Sequence, residues 1–414
     1  MAIRSEKIAY PPEALLRARS TSNKEFDFDP EGWIHWPARE DLSHEFMRLL
    51  AAAQEGGSTV SECWFTISRI DFADDCSWHR EWTGTAEANQ ARAVAALAEG
   101  NIVTARSNWL RAMNYYQAAA CTLDLSEEQQ RASISAMRKC AADYLRYREL
   151  RGEIVAIPWL NNVTLQGYYL PARTTEKPGP AVICIGEPGH RKEEYLSKLA
   201  RHAFERGISL FAVDVLGTET GAPHEAILDC RKLDSAIGHF MDYLSDRDDI
   251  DAERIAILGD GWASSFVARG ITFDPRFAAA VCDGGLWDLH ERSFLERRRA
   301  RSGADGLQGM EASRIMRNIG CPILITVGER GWLKTERVAK LVDQLGTDRQ
   351  DVTLKIFKSG ETASAQGHMD NPTLANEFIF DWIAGRLAAR VEIRQSHNLR
   401  SRPRLSGRLS PDAA

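Results

Sequence analysis

The chain has 414 residues, 44% of them hydrophobic and 27% charged, with a formal net charge of −6, enough for one large domain and a smaller one around a well-buried core. This balance gives no electrostatic case for binding nucleic acid or an anionic membrane. No apolar stretch approaches the ~20 residues of a membrane span, and Met1–Leu16 lacks the apolar core of a signal peptide. The eight cysteines are scattered without Cys-x-x-Cys or Cys/His spacing, which argues against metal binding and for reduced thiols in a cytoplasmic protein.

Residues 1–30 are polar with few apolar anchors and read as a flexible lead-in. Residues 31–151 have helical periodicity: Phe46, Leu49 and Leu50 recur at helical spacing, as do Ala93, Ala96 and Leu97, then Trp109, Met113 and Tyr116. An all-helical domain is expected there. At residue 152 the pattern changes. Ile154–Ile157 and Leu165–Leu170 look like an antiparallel pair. Short apolar runs then alternate with helical segments: Ala181–Ile185, Ser209–Val213, Ile255–Leu258, Ala278–Cys282, Ile323–Val327 and Thr353–Phe357. Such alternation predicts an α/β domain over 152–388, a mostly parallel, doubly wound sheet covered on both faces. Glu291–Ser313 is Arg-rich and reads as an exposed excursion. Residues 389–414 read as a flexible Arg-rich tail, or as a docking arm for a partner.

Ile255–Gly270, IAILGDGWASSFVARG, reads as strand, tight turn and helix. Gly259 and Ala263 match the small residues that flank a nucleophile elbow, G-x-S-x-G. That register puts Gly261, not a serine, at the apex. Asp260 and Ser264 are excluded from the apex because Leu258, Trp262 and Phe266 would then crowd the flanks. The chain keeps a scaffold for acyl chemistry without its hydroxyl.

Ligands of open α/β sheets sit at the carboxyl ends of the strands, so the segments following the strands matter most. The backbone amide of Trp262 would point at a developing oxyanion, and the loop Gly186-Glu187-Pro188-Gly189-His190 would supply a second donor from Gly186 or Glu187. His190 is either a polar pocket residue or an exposed loop histidine. His368, after the last strand in Gln366-Gly367-His368, lies where the order Ser…Asp…His puts a catalytic base. The orienting acid would be expected at 331, but the residue is Gly331. Asp283, at the end of the preceding strand, is the preferred replacement; Glu329 is the other candidate, and Asp283 as a simple turn cap is the bland alternative. Cys282 is an outside candidate for a relocated nucleophile, with a buried small hydrophobe the simpler reading. Trp64, Phe65, Trp78, Trp82, Trp109, Tyr115 and Tyr116 are candidate pocket aromatics, though helical spacing favours packing. Arg69 and Asp71 are candidate polar contacts.

Arg106–Tyr116 (RSNWLRAMNYY), Arg191-Lys192-Glu193-Glu194-Tyr195, the elbow, and His368 followed by Asp381-Trp382 together resemble the α/β-hydrolase family of 2,6-dihydroxypseudooxynicotine hydrolase and the fermentation-respiration switch protein. Fungal polyketide-shortening hydrolases are similar. The resemblance covers Gly32–Leu387. It implies an α/β-hydrolase fold with a helical cap over the pocket, a homodimer, and hydrolysis of C–C bonds beside ketones, or of esters, by a Ser-His-Asp triad without a cofactor. Two positions of that triad depart, at Gly261 and Gly331. The expectation is therefore an enzyme of secondary metabolism in which His368 performs non-covalent acid/base chemistry on a ketone, lactone or polyketide-like small molecule, aromatic ones included. The alternatives are a catalytically silent binding or regulatory protein, and a conventional hydrolase with a relocated nucleophile.

Overall fold

The computed structural model describes residues 36, 39–121, 126–159, 164–174, 177–186, 191–214, 232–285, 319–331, 333–346 and 351–401. The lead-in 1–30 and the excursion 291–313 lie outside them. The chain divides into two compact units, Met1–Tyr144 and Leu145–Ala414.

The first unit carries α1 (Glu40–Ala52), α2 (Val60–Ile67), α3 (Asp75–Ala98), α4 (Ile102–Ala119) and α5 (Glu127–Arg146), the last running on into the second unit. Thr59 and Asp74 start α2 and α3 by accepting hydrogen bonds from the amides of Glu62 and Cys76, filling donors that the first turn leaves open. Gly100, at φ +80°, lets the chain reverse between α3 and α4. Trp78, Trp82, Trp109 and Tyr115 are no more than 2% exposed and form the aromatic centre of this unit. Trp82 stacks on Tyr115 at 5.6 Å, and the Tyr115 hydroxyl donates to Glu62 at 2.8 Å. The Trp78 indole likewise donates to the Ala118 carbonyl at 2.8 Å, so these two buried aromatics keep their polar atoms satisfied.

In the second unit, among the described residues, one eight-stranded sheet runs β1-β2-β4-β3-β5-β6-β7-β8. Its strands are β1 (Glu153–Pro158), β2 (Thr164–Leu170), β3 (Gly179–Ile185), β4 (Ser209–Asp214), β5 (Ile250–Asp260), β6 (Ala279–Asp283), β7 (Ile323–Gly328) and β8 (Val352–Phe357). β1 pairs antiparallel with β2, and β2 with β4; every other pairing is parallel. β3, β4 and β6 are buried along their whole length, as unbroken apolar runs covered on both faces must be. The helices are α6 (Tyr195–Lys198), α7 (Ala200–Phe204), α8 (Lys232–Ser245), α9 (Ser264–Phe273), α10 (Thr335–Gly346) and α11 (Pro372–Ser401). One face of the sheet packs Ile183, Phe211, Ile257 and Ile325 against Phe240 of α8 and Phe266 of α9.

The strand segments legible in the sequence are those of the sheet, and the unit has the α/β-hydrolase arrangement with a helical region before it. α11 extends to Ser401, into the segment read as a tail, because Leu387–Ile393 is rich in helix formers and no proline follows before Pro403. β5 begins earlier than the apolar run Ile255–Leu258. Three apolar strands each end on an aspartate: Asp214 on β4, Asp260 on β5 and Asp283 on β6. Among the described residues no helix is long and apolar enough to cross a membrane.

Candidate active site

β5 runs straight into a tight turn, Gly261–Ala263, and then α9. Gly261 sits at φ +56°, the left-handed region that ordinary side chains enter at a cost. The turn is so close that a Cβ on Gly259 would stand 2.8 Å from the carbonyl carbon and oxygen of Ala263 and the amide of Ser264. Gly284, at φ +112°, follows β6, and a Cβ there would be 3.0 Å from the Gly261 Cα. Glycines thus let the ends of β5 and β6 meet above the sheet. Trp262 lies in the turn. The Ser264 hydroxyl is buried and shared between the carbonyls of Gly259 (3.3 Å) and Asp283 (3.2 Å), which turns it into the backbone. Gly186 follows β3; a Cβ there would strike the Tyr195 hydroxyl at 2.5 Å. Glu187 and His190 lie outside the described residues.

His368 is carried by a loop in unusual conformation. Ala363 (φ +68°), Gly367 (φ +61°) and His368 itself (φ +57°) are all left-handed. Asp370 holds the loop, its carboxylate accepting from the amides of Ser364 (3.0 Å) and Ala365 (3.1 Å). Non-glycine residues at such angles cost about 1–3 kcal/mol each and persist where the surroundings over-determine them. The loop aims the imidazole, 1% exposed, at the end of β6. Nδ1 lies 2.6 Å from the carbonyl of Ala363, so Nδ1 carries a proton and donates. Nε2 lies 2.9 Å from Asp283 Oδ1, and that same oxygen accepts from Thr326 Oγ1 at 2.6 Å. The Nε2 approach is oblique: an ion contact, with no in-line acceptor for the Nε2 proton among the described residues. Phe357 packs edge-on against the ring at 4.8 Å.

Burial alone would push the imidazole down, but the charge of Asp283 and the Ala363 carbonyl outweigh it and hold His368 above its usual 6.5. Burial alone would likewise raise the Asp283 carboxyl, but the His368 charge, with help from Lys198 and Thr326, holds it below 3.8. An imidazolium–carboxylate pair results. The depressed carboxyl stabilises the fold above pH 3.8 and loses that contribution as pH falls through its folded value. The raised imidazole stabilises it below pH 6.5 and loses that contribution as pH rises through its folded value. The free-energy difference between the parent and Asp283→Asn in urea unfolding should therefore be widest between these limits and narrow on both sides. A difference that keeps growing toward pH 9 would contradict the assignment.

Other charged groups here had no site role assigned from the sequence. Lys198 Nζ lies 2.6 Å from Asp260 Oδ2, to which the Tyr195 hydroxyl also donates at 3.0 Å. Lys192, only 1% exposed, pairs with Asp214 at 2.6 Å and stands 3.5 Å from Glu193, which accepts from the Tyr168 hydroxyl at 2.7 Å. The signal was a charged run, Arg191–Tyr195, directly after an apolar strand and its loop, together with an aspartate closing each apolar run.

The remaining candidates are placed as follows. Glu329 is turned to the surface side of the β8 end, where its carboxylate accepts from the Ser359 amide at 2.6 Å, the bond that holds it below its usual range. A Cβ on Gly331 would stand 2.7 Å from Gln366 Oε1, so glutamine fills the space of the missing acid. The Cys282 thiol is in the core, donates to the Ser264 carbonyl at 3.6 Å and is pushed well up by burial, which keeps it a thiol rather than a nucleophilic thiolate. Trp109 and Tyr116 are buried in the helical unit, where the Tyr116 hydroxyl donates to Gln90 at 2.8 Å. Trp78, Trp82 and Tyr115 are core as well, whereas Phe65 is exposed beneath the Arg69 guanidinium, itself paired with Glu81. Asp71 accepts from the Ala73 amide in a turn. Among the described residues no group of three or more His, Cys, Asp or Glu side chains could hold a metal ion.

A family model described as FrsA-like, Esterase FrsA-like, matches residues 66–293. The 20-hydroxy-prefusarin hydrolase of Gibberella moniliformis is 31% identical over 270 residues, 61% of this chain and 62% of that protein. A hydrolyase of Penicillium oxalicum is 26% identical over 261 residues, 60% of this chain and 62% of its own length. The chain thus spans about six-tenths of the length of these curated relatives. The crystal structure of 2,6-dihydroxy-pseudo-oxynicotine hydrolase superposes with a TM-score of 0.64 at 16% identity, over 82% of this chain and 96% of that one. Wild-type AbyA5 superposes with a TM-score of 0.54 at 13% identity, over 84% and 98%. At these identities the likeness is one of fold.

Proposed function

The chain belongs to the FrsA-like esterase family, and from that premise we propose that it is an α/β-hydrolase-type enzyme working without a covalent nucleophile on a ketone, lactone or polyketide-like small molecule. The observation that carries the reading is His368: a buried imidazole, held above its usual 6.5, that sits 2.9 Å from Asp283 at the end of β6, while the turn after the neighbouring β5 bears no side chain at Gly261. The space left by the missing hydroxyl would admit a substrate oxygen or a water. His368 Nε2 donates to the oxygen as charge develops, acting as general acid, and Asp283 balances the imidazolium. The amides of Trp262 and of the Gly186–Glu187 loop act as oxyanion donors. The resulting chemistry is C–C cleavage, cyclisation, elimination or direct hydrolysis. Donors and positioning of this kind sustain about 10³–10⁴-fold catalysis over water even in a hydrolase stripped of its triad. Relatives named as a hydrolase and a hydrolyase support an enzyme of this kind.

The test compares His368→Ala with Gly261→Ala on short aryl esters, lactones and diketones. His368→Ala should lose about 10²–10⁴-fold in kcat/KM, and Gly261→Ala should stay within about tenfold of the parent, its cost being mainly backbone strain. Equal turnover by His368→Ala and the parent would end the proposal. A fluorophosphonate probe should leave the parent unlabelled; strong labelling would reveal a nucleophile after all.

One observation favours a second reading, a ligand-binding protein on a hydrolase scaffold. His368 Nδ1 is spent on the Ala363 carbonyl and Nε2 lies in ion contact with Asp283, an arrangement that favours a protonated ring over a general base. Saturable binding of such compounds with no turnover across pH 5–9, a range spanning the ordinary titration of histidine, would favour it.

A further inference from the structure

Asp260 and Asp283 are register partners on the parallel strands β5 and β6. Their side chains therefore leave the same face of the sheet from strands about 4.8 Å apart. Both are buried, each about 4% exposed. Two carboxylates so close in a poorly solvated site repel one another and compete for any cation within reach. Each has one: Lys198 Nζ lies 2.6 Å from Asp260, and His368 Nε2 lies 2.9 Å from Asp283. Tyr195 and Lys198 stand three apart on α6, so one helical face delivers both to Asp260. The result is a row of charges, Lys198, Asp260, Asp283, His368, in which two adjacent anions are each flanked by one cation.

We propose that Lys198 is a positioning residue for the Asp283–His368 pair: by neutralising Asp260 it leaves Asp283 as the sole anion facing the imidazole and keeps the imidazole from being over-committed to its protonated state. The inference rests on reading that pair as the reactive centre. Lys198 does not touch His368; it acts through the two carboxylates. Without it, two uncompensated anions would face one imidazolium and grip its proton too tightly for release to a substrate. The charge of Lys198 lowers both Asp283 and His368, which agrees with this arrangement. Among the described residues, Glu194 and Tyr195 beside Lys198 and the buried Cys184 thiol of β3 also face the row. Asp370, in the His368 loop, is turned to the Ser364 and Ala365 amides.

The experiment uses the full chain with ¹³C-labelled histidine. The His368 Cε1 signal is identified by its loss in His368→Gln, and its titration is followed in the parent, Lys198→Met and Asp260→Asn. Lys198→Met should move the midpoint up by about one pH unit, and Asp260→Asn should move it down by about as much. Opposite signs are the signature of charge coupling; simple loosening would carry both variants toward the 6.5 of solvated imidazole. Should Lys198→Met fail to fold, the double variant Lys198→Met/Asp260→Asn, which removes both charges, should return the midpoint toward that of the parent. Unchanged midpoints, shifts of one sign in both single variants, or a double variant that keeps the Asp260→Asn value would overturn the proposal. The readout is the protonation of His368, so its failure is distinct from a failure of turnover.

Discussion

Replacing Asp283 by alanine is expected to destabilise the protein by about 3–5 kcal/mol near pH 6, the usual cost of leaving one member of a buried ion pair alone. Asp283 and His368 are almost wholly buried, and each is the other's charge partner at 2.9 Å. Alanine also strands the Thr326 hydroxyl, which donates to Asp283 at 2.6 Å. The imidazole would then feel burial without its anion and would titrate below 6.5 rather than above it. The loss should shrink as pH rises through the raised folded value of the parent imidazole. Asp283→Asn should cost less, because an amide oxygen can still accept from Thr326. Urea unfolding at pH 6 and pH 9 measures all of this. An Asp283→Ala variant as stable as the parent at pH 6 would mean that the pair carries no charge in the folded protein.

Gly259→Ala is expected to cost about 3 kcal/mol or more, as an overpacked site does when nothing around it can yield, or roughly 3–4 °C in Tm for a chain of 414 residues. A Cβ there would meet three backbone atoms at 2.8 Å, all belonging to the turn that places Gly261 and starts α9. No side-chain rotation relieves such a contact. Gly331→Ala makes the useful contrast. Its Cβ would meet the Gln366 side-chain oxygen at 2.7 Å, a flexible end that can swing aside, so its Tm should stay within about 2 °C of the parent. Differential scanning calorimetry of the two variants decides the matter. If Gly259→Ala melts with the parent, the turn is looser than described and Gly261 need not be its apex.

Much of the sheet was legible because strands buried on both faces leave an unbroken apolar run, as in Ala181–Ile185 and Ser209–Val213. The Ile250–Arg254 part of β5 was not, since Asp251, Glu253 and Arg254 carry no such signature. The helical unit was legible from Trp109, Met113 and Tyr116, but spacing cannot distinguish a pocket aromatic from a core one. In the structure Trp109 and Tyr116 are buried and the Tyr116 hydroxyl is spent on Gln90. Lys192 was read only as part of a family motif, and Lys198 not at all, because lysine is expected on the surface. The aspartates that close β4 and β5 explain why Lys192 can be buried and Lys198 largely so.

Within the sequence, the spacing of Gly259, Gly261 and Ala263 already determined a sharp turn after an apolar strand, because that constraint is steric and acts among residues a few positions apart. Which charges meet was decided only by the tertiary structure. Asp283 reaches His368, and Asp260 takes Lys198, 62 positions away in the chain. Gln366, rather than an acid, fills the space beside Gly331. Coulomb energy depends on separations of a few ångströms, and the register of β5 against β6, together with the left-handed loop that carries His368, sets those separations.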